Sequence, residues 1–398
     1  MLISKINKEA ETIFNSKGFP NHKNENWKYT SLKKFQTLNF SKALKSDSIN
    51  GLDNFNDSSV TTIDINSGSY FFKKHPNIFN VKSKIKEDFN QSSYDLIFGL
   101  DNELIDNNPF YVLNNANFDD AIIVKLNNDF NEVILNISSN NSNKNPLAHY
   151  SRIFFDIEKN CEANILINNK GSGDNMYYKN NVIIINMNQN SNLTLTNIFD
   201  ESHNSYSFNN LIVNQNRDSK FLNKSFFLNS SFVRNNIINN LNHPNSESDM
   251  AGLFIGKKNQ LIDNNIKINH NSKFSISKVL YKGVLDDNAH AIFNALVNVP
   301  FESDKIDSEQ KNHNILLSDK AKINSNPKLK ISCDDVKCAH GSTIGNLDRD
   351  ALFYLRSRGI NHGSAKKILL DSFMHEIIDL IDNKNIRNEV KNIIDKIL

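Results

Sequence analysis

The chain has 398 residues, of which 46 are basic and 44 acidic, and 38% are hydrophobic. This length allows a large core and two or three domains, and a net charge of +2 argues against nucleic acid or an anionic membrane surface as partner. Mean hydropathy is −0.50 and no apolar run approaches the roughly 20 residues of a membrane span. The opening MLISKINKEAETIF lacks the apolar stretch of a signal peptide, and three cysteines make no disulfide framework, so the expected setting is cytoplasmic and reducing.

In chain order, Ile3, Ile6, Ala10, Ile13 and Phe14 recur at helical spacing over residues 2–17, and Gly18 and Pro20 end that helix. NENWKYTSLKKF follows with the only tryptophan, Trp27, which reads as an aromatic anchor or an exposed recognition patch. Residues 41–100 read as mixed and irregular. From about 110 to 335 short β-rich runs recur (AIIVKL, EVILNIS, RIFFDIE, ANILIN, VIIINM, LTLTNIF, NLIVNQ, LIDNNIKINH), separated by Asn, Asp and Ser. No long amphipathic helix interrupts them, which excludes alternating β/α folds and leaves sandwiches, barrels or solenoids. Asn-Gly and Asp-Gly hairpin signals are nearly absent, so a parallel β-helix fits best, with about eight to ten coils at roughly 20–30 residues each. Asparagine suits its corners, because it tolerates left-handed backbone. His149, His203, His243, His270 and His290 read as surface or corner residues.

After residue 345 the pattern turns helical. NLDRDALFYLRSRG has Asn346 or Asp348 as cap and Gly359 as stop; SAKKILLDSFMHEIIDLID has Ser364 as a plausible N-cap; NIRNEVKNIIDKIL forms a third helix. Ile368, Leu369, Phe373, Ile377, Leu380 and Ile381 form an apolar stripe that packs internally on one side and meets a partner on another. The expected division is a helical and mixed region 1–100, a β-helix core 101–345 and a helical end 346–398.

The densest chemistry is KISCDDVKCAHGSTIG, Lys330–Gly345. Cys338 and His340 stand two apart, so on a strand they share a face, and thiolate with imidazole suits zinc or iron–sulfur intermediates. Two ligands leave a four-coordinate site half-built; a buried cysteine beside a hydrogen-bonded histidine remains the other reading. Cys333 alternates with Leu329 and Ile331 and falls on the apolar face. Asp334 and Asp335 read as a bend rather than a catalytic pair, and Gly341 and Gly345 as a tight corner between strand and helix rather than a phosphate loop.

DDVKCAHGSTIGNLDRDALFYLRSRGI closely resembles the C-terminal signature of the SufD family, scaffold subunits of iron–sulfur cluster assembly. YKGVLDDNAHAIFNALVNV and DSEQKNHNILLS match that family's strand-rich segment in order, and ENWKYTSL resembles its amino-terminal element. The chain departs from the family pattern at Ala295, where glycine is usual, and at His313, where lysine is frequent. The resemblance implies a right-handed parallel β-helix flanked by helices, and a non-enzymatic scaffold. It implies edge-to-edge pairing with a SufB-like scaffold, and docking of a SufC-like ATPase on the helical end through Ile368, Leu369, Phe373, Ile377 and Leu380. It also implies an indirect link to a cysteine desulfurase and a transient iron–sulfur cluster shared with SufB, with His340 and the weaker helper Cys338 as its ligands here. Family complexes are associated with a reduced flavin, for which no motif marks a site. No G-x-x-x-x-G-K-[ST] loop is present, which fits a partner handling ATP. A β-helix lyase or hydrolase acting on carbohydrate and a stand-alone zinc protein are the alternatives.

Overall fold

A computed structural model describes residues 2–21, 23–44, 60–81, 98–99, 102–141 and 144–398. Helices α1 (Leu2–Lys17), α2 (Lys33–Gln36), α3 (Asn102–Asn107) and α4 (Pro109–Asn117) lie in the first third, and α5 (Arg349–Ser357), α6 (His362–Ile378) and α7 (Lys384–Ile397) at the end. Strands β1 (Ser41–Lys42), β2 (Thr61–Asn66), β3 (Ser69–Phe72), β4 (Ile78–Asn80), β5 (Ile122–Leu126) and β6 (Glu132–Asn140) start the β body. It continues through β7 (Leu147–Ile157), β8 (Glu162–Ser172), β9 (Tyr177–Met187), β10 (Asn192–Asp200), β11 (Ser205–Gln215), β12 (Lys220–Asn229) and β13 (Phe232–Leu241). The last seven strands are β14 (Glu247–Gly256), β15 (Leu261–His270), β16 (Ile276–Leu285), β17 (His290–Val299), β18 (Ile306–Leu316), β19 (Lys322–Ile331) and β20 (Val336–Asn346).

Odd strands from β5 to β19 line up in parallel as one sheet, even strands from β6 to β20 as a second, and each turn of chain adds one strand to both. This is a two-sided parallel β-solenoid of about seven turns, flanked by helices. One turn takes from 26 residues (Tyr206 to Phe232) to 32 (His290 to Lys322). The expected eight to ten coils are therefore too many: ten- and eleven-residue strands make each turn longer than assumed. Part of the segment read as irregular is also strand, for β2 pairs in parallel with β6 because Ile63 and Ile65 alternate into the interior; residues 45–59, 82–97 and 100 of that segment lie outside the described residues. Conversely, α3 and α4 fall within the stretch assigned to the β body.

Register explains the core. Ile153, Ile183, Leu211, Ile237, Ile266 and Ala295 are successive partners across the odd sheet, every one buried. Burying each of the larger side chains contributes about 1.5–3 kcal/mol, and stacking like on like leaves few voids. Asparagine serves twice. Asn160, Asn190 and Asn245 take positive φ (59°, 55° and 60°) at corners, as expected. Others stack face to face: Asn298 donates to Asn269 (3.2 Å), Asn269 to Asn240 (2.8 Å), and Asn240 to Asn214 (2.9 Å) along the outside of the odd sheet.

Both outer faces are partly covered. On the odd sheet, Ile3 and Ile6 of α1 and Phe118 pack over Phe154, Val182 and Ile184. On the even sheet, Leu370, Met374, Ile377, Ile378 and Ile381 with Val390 and Ile394 of α7 cover Phe226, Leu253, Ile255 and Val284. Helix α6 begins at His362, not after Ser364: Asn361 is its N-cap and accepts from the Ser364 amide at 2.9 Å. Two of the five histidines read as surface residues are buried. His149 points into the interior, and His270 lies 2.7 Å from Ser275 Oγ and 2.9 Å from Ser277 Oγ. In both cases strand alternation places the ring inward, on the face shared with the apolar residues.

Candidate functional site

The solenoid ends at β19 and β20, each an edge strand with one neighbour, β17 and β18 respectively. Cys333 sits in the corner between them, where its Sγ donates to the Pro300 carbonyl at 2.9 Å while the side chain packs on the interior cluster. The expected core role of Cys333 agrees with this placement. Asp335 pairs with Lys305, and its carbonyl accepts the Lys305 amide at 2.7 Å, so this corner is stitched to the one before.

Cys338 and His340 both lie on β20, opposite Ser308 and Gln310 of β18. Val336 and Cys338 pack against the interior cluster, and His340, two residues on, takes the same face; no further turn covers it, so it is exposed. Burial, reinforced by Asp307, raises the Cys338 thiol above its ordinary pKa. The side chain therefore rests as a thiol, and ligation would have to displace its proton. No group of three His, Cys, Asp or Glu side chains suited to a metal occurs among the described residues. Gly341, Ser342, Thr343 and Gly345 lie within β20, not at the expected corner between strand and helix. A Cβ added at either glycine would meet nothing within 4 Å, so here glycine leaves the outer face of an edge strand bare.

At the helical end, α5 is capped by Asp348, which accepts from the amides of Asp350 (2.9 Å) and Ala351 (3.0 Å). It buries no residue and holds Phe353 and Tyr354 in solvent, 73% and 56% exposed. The apolar stripe, which runs along α6 and just past its end, divides: Ile377 and Ile381 are buried on the even sheet, Leu369 and Phe373 are half-buried, and Ile368 and Leu380 are exposed. Ile377 is thus already occupied within the chain. Three lysines on or just beside the even-sheet strands fasten the helical end. Lys282 donates to the Phe373 carbonyl (2.9 Å), Lys257 to that of Ile397 (2.6 Å), and Lys224 pairs with Asp382 at 2.8 Å.

Two charged constellations escaped the reading of the sequence. Arg234 and Asp263 form a buried ion pair on the outer odd sheet, with the guanidinium 3.7 Å from the Trp27 ring centre and Thr30 bonded to the same carboxylate. This pair seats the W-K-Y-T element, and Trp27 is its buried anchor. Inside the solenoid Lys179 pairs with Glu201, to which Tyr177 donates at 2.6 Å. Burial lowers the Lys179 pKa against the opposing pull of Glu201, and burial with that same carboxylate raises Tyr177. The one signal was spacing: Arg234 and Asp263 are direct partners in register, one turn apart.

Comparison with known proteins bears on this architecture. The family model for the SUF system FeS cluster assembly SufBD core domain matches residues 137–373, more than half of the chain. The chain belongs to the SufBD family. The match takes in β7 to β20, α5 and most of α6, and with them Cys338 and His340. Among curated SufBD relatives, the Escherichia coli (strain K12) iron-sulfur cluster assembly protein SufD is 35% identical over 166 residues, 42% of this chain and 39% of that one. The Synechocystis SufBD family protein slr0076 is 34% identical over 164 residues, 41% and 36% of the two chains. Arabidopsis thaliana protein ABCI7, chloroplastic, is 31% identical over 150 residues, 37% and 32%. The chain thus matches between about a third and two-fifths of these relatives' lengths.

Proposed function

We propose that this chain is a non-catalytic scaffold for assembling and delivering iron–sulfur clusters. It pairs through the open end of its solenoid with a SufB-like scaffold and docks a SufC-like ATPase on its helical end, residues 346–398. The observation that carries this reading is the SufBD core match together with a solenoid that ends in two edge strands, with His340 and Cys338 on the interior face of the last one. A strand edge presents unpaired N–H and C=O groups that another chain can complete. The half-site would be closed by ligands from that chain, and the nascent cluster is cargo, with sulfur supplied upstream by a cysteine desulfurase. Exposed Phe353, Tyr354, Ile368 and Leu380, with half-buried Leu369 and Phe373, offer the ATPase its apolar contact. A cytoplasmic setting accords with three free cysteines and with helices none of which, among the described residues, is long and apolar enough to cross a membrane. A reduced flavin in such a complex is assigned to no residue of this chain.

The test is co-expression with SufB-like and SufC-like chains. A stable complex that carries clusters after anaerobic reconstitution is expected. His340→Ala should leave the complex assembled and lower cluster content several-fold; Cys338→Ser should lower it less. Failure of the three chains to co-purify overturns the scaffold reading, and unchanged cluster content in His340→Ala removes His340 from the site.

A further inference from the structure

Beneath His340 lies a buried amide that the spacing of Cys338 and His340 does not reveal. Gln310 of β18 is the direct register partner of His340, and it stands on the same interior face of the even sheet, 1% exposed. Neighbouring strands lie about 4.8 Å apart, so a side chain in this row reaches the next one. The row itself singles Gln310 out. One turn back stands Val279 and two turns back Met250, both buried in the interior cluster. The row takes apolar side chains where it packs only on its own kind, and changes to an amide in the turn that meets His340.

The surroundings settle which way this amide points. Its Nε2 donates to the Lys328 carbonyl at 3.2 Å, across the interior. A carbonyl only accepts, so the reverse orientation would set two oxygens against each other. Oε1 is therefore turned away from Lys328, and it is buried without a hydrogen-bond partner. The interior hydroxyls of these turns are committed elsewhere: Ser342 donates to Ser325 (2.8 Å), Ser325 donates to Asn312 (2.8 Å), and Ser308 is bonded to Ser277 (2.8 Å). A buried carbonyl oxygen that lacks a donor is unfavourable, and the next side chain in its row is an imidazole.

We propose that Gln310 is a positioning residue for His340: its Oε1 accepts one ring N–H of the neutral imidazole, which fixes the tautomer and turns the other nitrogen toward the cluster. The exposed ring reaches Oε1 by rotation about its own side-chain torsions. A neutral imidazole has one N–H and one lone pair, so capture of the N–H assigns the lone pair to the cargo. A histidine ligand whose far nitrogen donates to a fixed acceptor is held in orientation and binds more strongly.

This inference rests on the reading of His340 as a cluster ligand, and the experiment keeps the two apart. Gln310→Met preserves length and apolar packing and removes the acceptor. Histidine-selective 15N NMR of the full chain, at alkaline pH where imidazole is neutral, reads the tautomer, with the His340 signal identified by its loss in His340→Ala. Wild type should show one tautomer, and Gln310→Met a mixture with native melting behaviour. In the complex with SufB-like and SufC-like chains, Gln310→Met should leave the assembly intact and release its clusters to a chelator about tenfold faster than wild type. A tautomer mixture in wild type, or equal populations in wild type and Gln310→Met, overturns the proposal and spares the reading of His340. A shifted tautomer with unchanged cluster release overturns it as well, because the amide would then orient the ring without serving the cluster. Full cluster retention in His340→Ala overturns both.

Discussion

Several side chains inside the solenoid are titratable, and their burial decides how the fold responds to acid. Burial holds the pKa of His270 down to about 4 and that of His149 down to about 3. Between pH 6.5 and those values the unfolded chain takes up a proton that the folded chain refuses. The stability from neutral burial is therefore complete above pH 6.5 and is lost as pH falls, at about 1.4 kcal/mol per unit for each ring. In urea titrations, wild type should lose about 2–3 kcal/mol more than His270→Gln between pH 7 and 4.5; equal losses would show that the ring does not stay neutral. The alternation that turns His149 inward was visible in the sequence, but which face is the interior depends on neighbours one turn away. Lys179, Glu201 and Tyr177 were not recognised as a group because they come from consecutive strands in different sheets: Tyr177 and Lys179 lie on β9 and Glu201 just after β10, and only the winding of the chain brings them together.

At the level of the element, the corners obey a rule that lapses after four turns. The left-handed residue between odd and even strands is Asn160, Asn190, Asp218 and Asn245 in four successive turns, and then Phe274 and Lys305. A bulky side chain at φ 60° is unfavourable where asparagine is tolerated, and the Phe274 ring is 53% exposed, so packing does little to offset it. Phe274→Asn should stabilise the chain by about 1 kcal/mol, read as a higher urea midpoint with unchanged slope; a lower midpoint would mean that the ring's contacts outweigh the strain. Strand existence was legible because apolar alternation is local. The number of turns was not, since strand length sets it. The N-cap of α6 was misplaced because serine and asparagine compete within three residues, and only backbone geometry shows that Asn361 bonds the Ser364 amide. The placement of Cys338 and His340 on one strand face was legible from their spacing, whereas the open edge beside them depends on β20 being last in its sheet, which spacing alone does not reveal.

In the whole molecule the helical end is part of the solenoid's cover. Deleting residues 361–398 would bare Phe226, Leu253, Ile255 and Val284 of the even sheet. The truncated chain should therefore aggregate during light-scattering measurements at concentrations where wild type stays monodisperse. A cleaner probe of ATPase docking is Phe353→Ser with Ile368→Ser, both exposed, which should weaken SufC-like binding about tenfold or more and leave pairing with the second scaffold intact. Equal loss of both interactions would point to misfolding.

The lysine contacts to α6 and α7 have a mechanical consequence. The helices leave the last strand of the rod but are bolted back to its middle, at Lys224, Lys257 and Lys282 on and beside β12, β14 and β16. A load applied to the helices therefore enters the rod at these rivets rather than at its tip. The nearest rivet, on β16, stands two strand spacings, roughly 10 Å, from the free edge of β20. A pull on the helices therefore loads β12, β14 and β16 before it reaches β20, which carries Cys338 and His340.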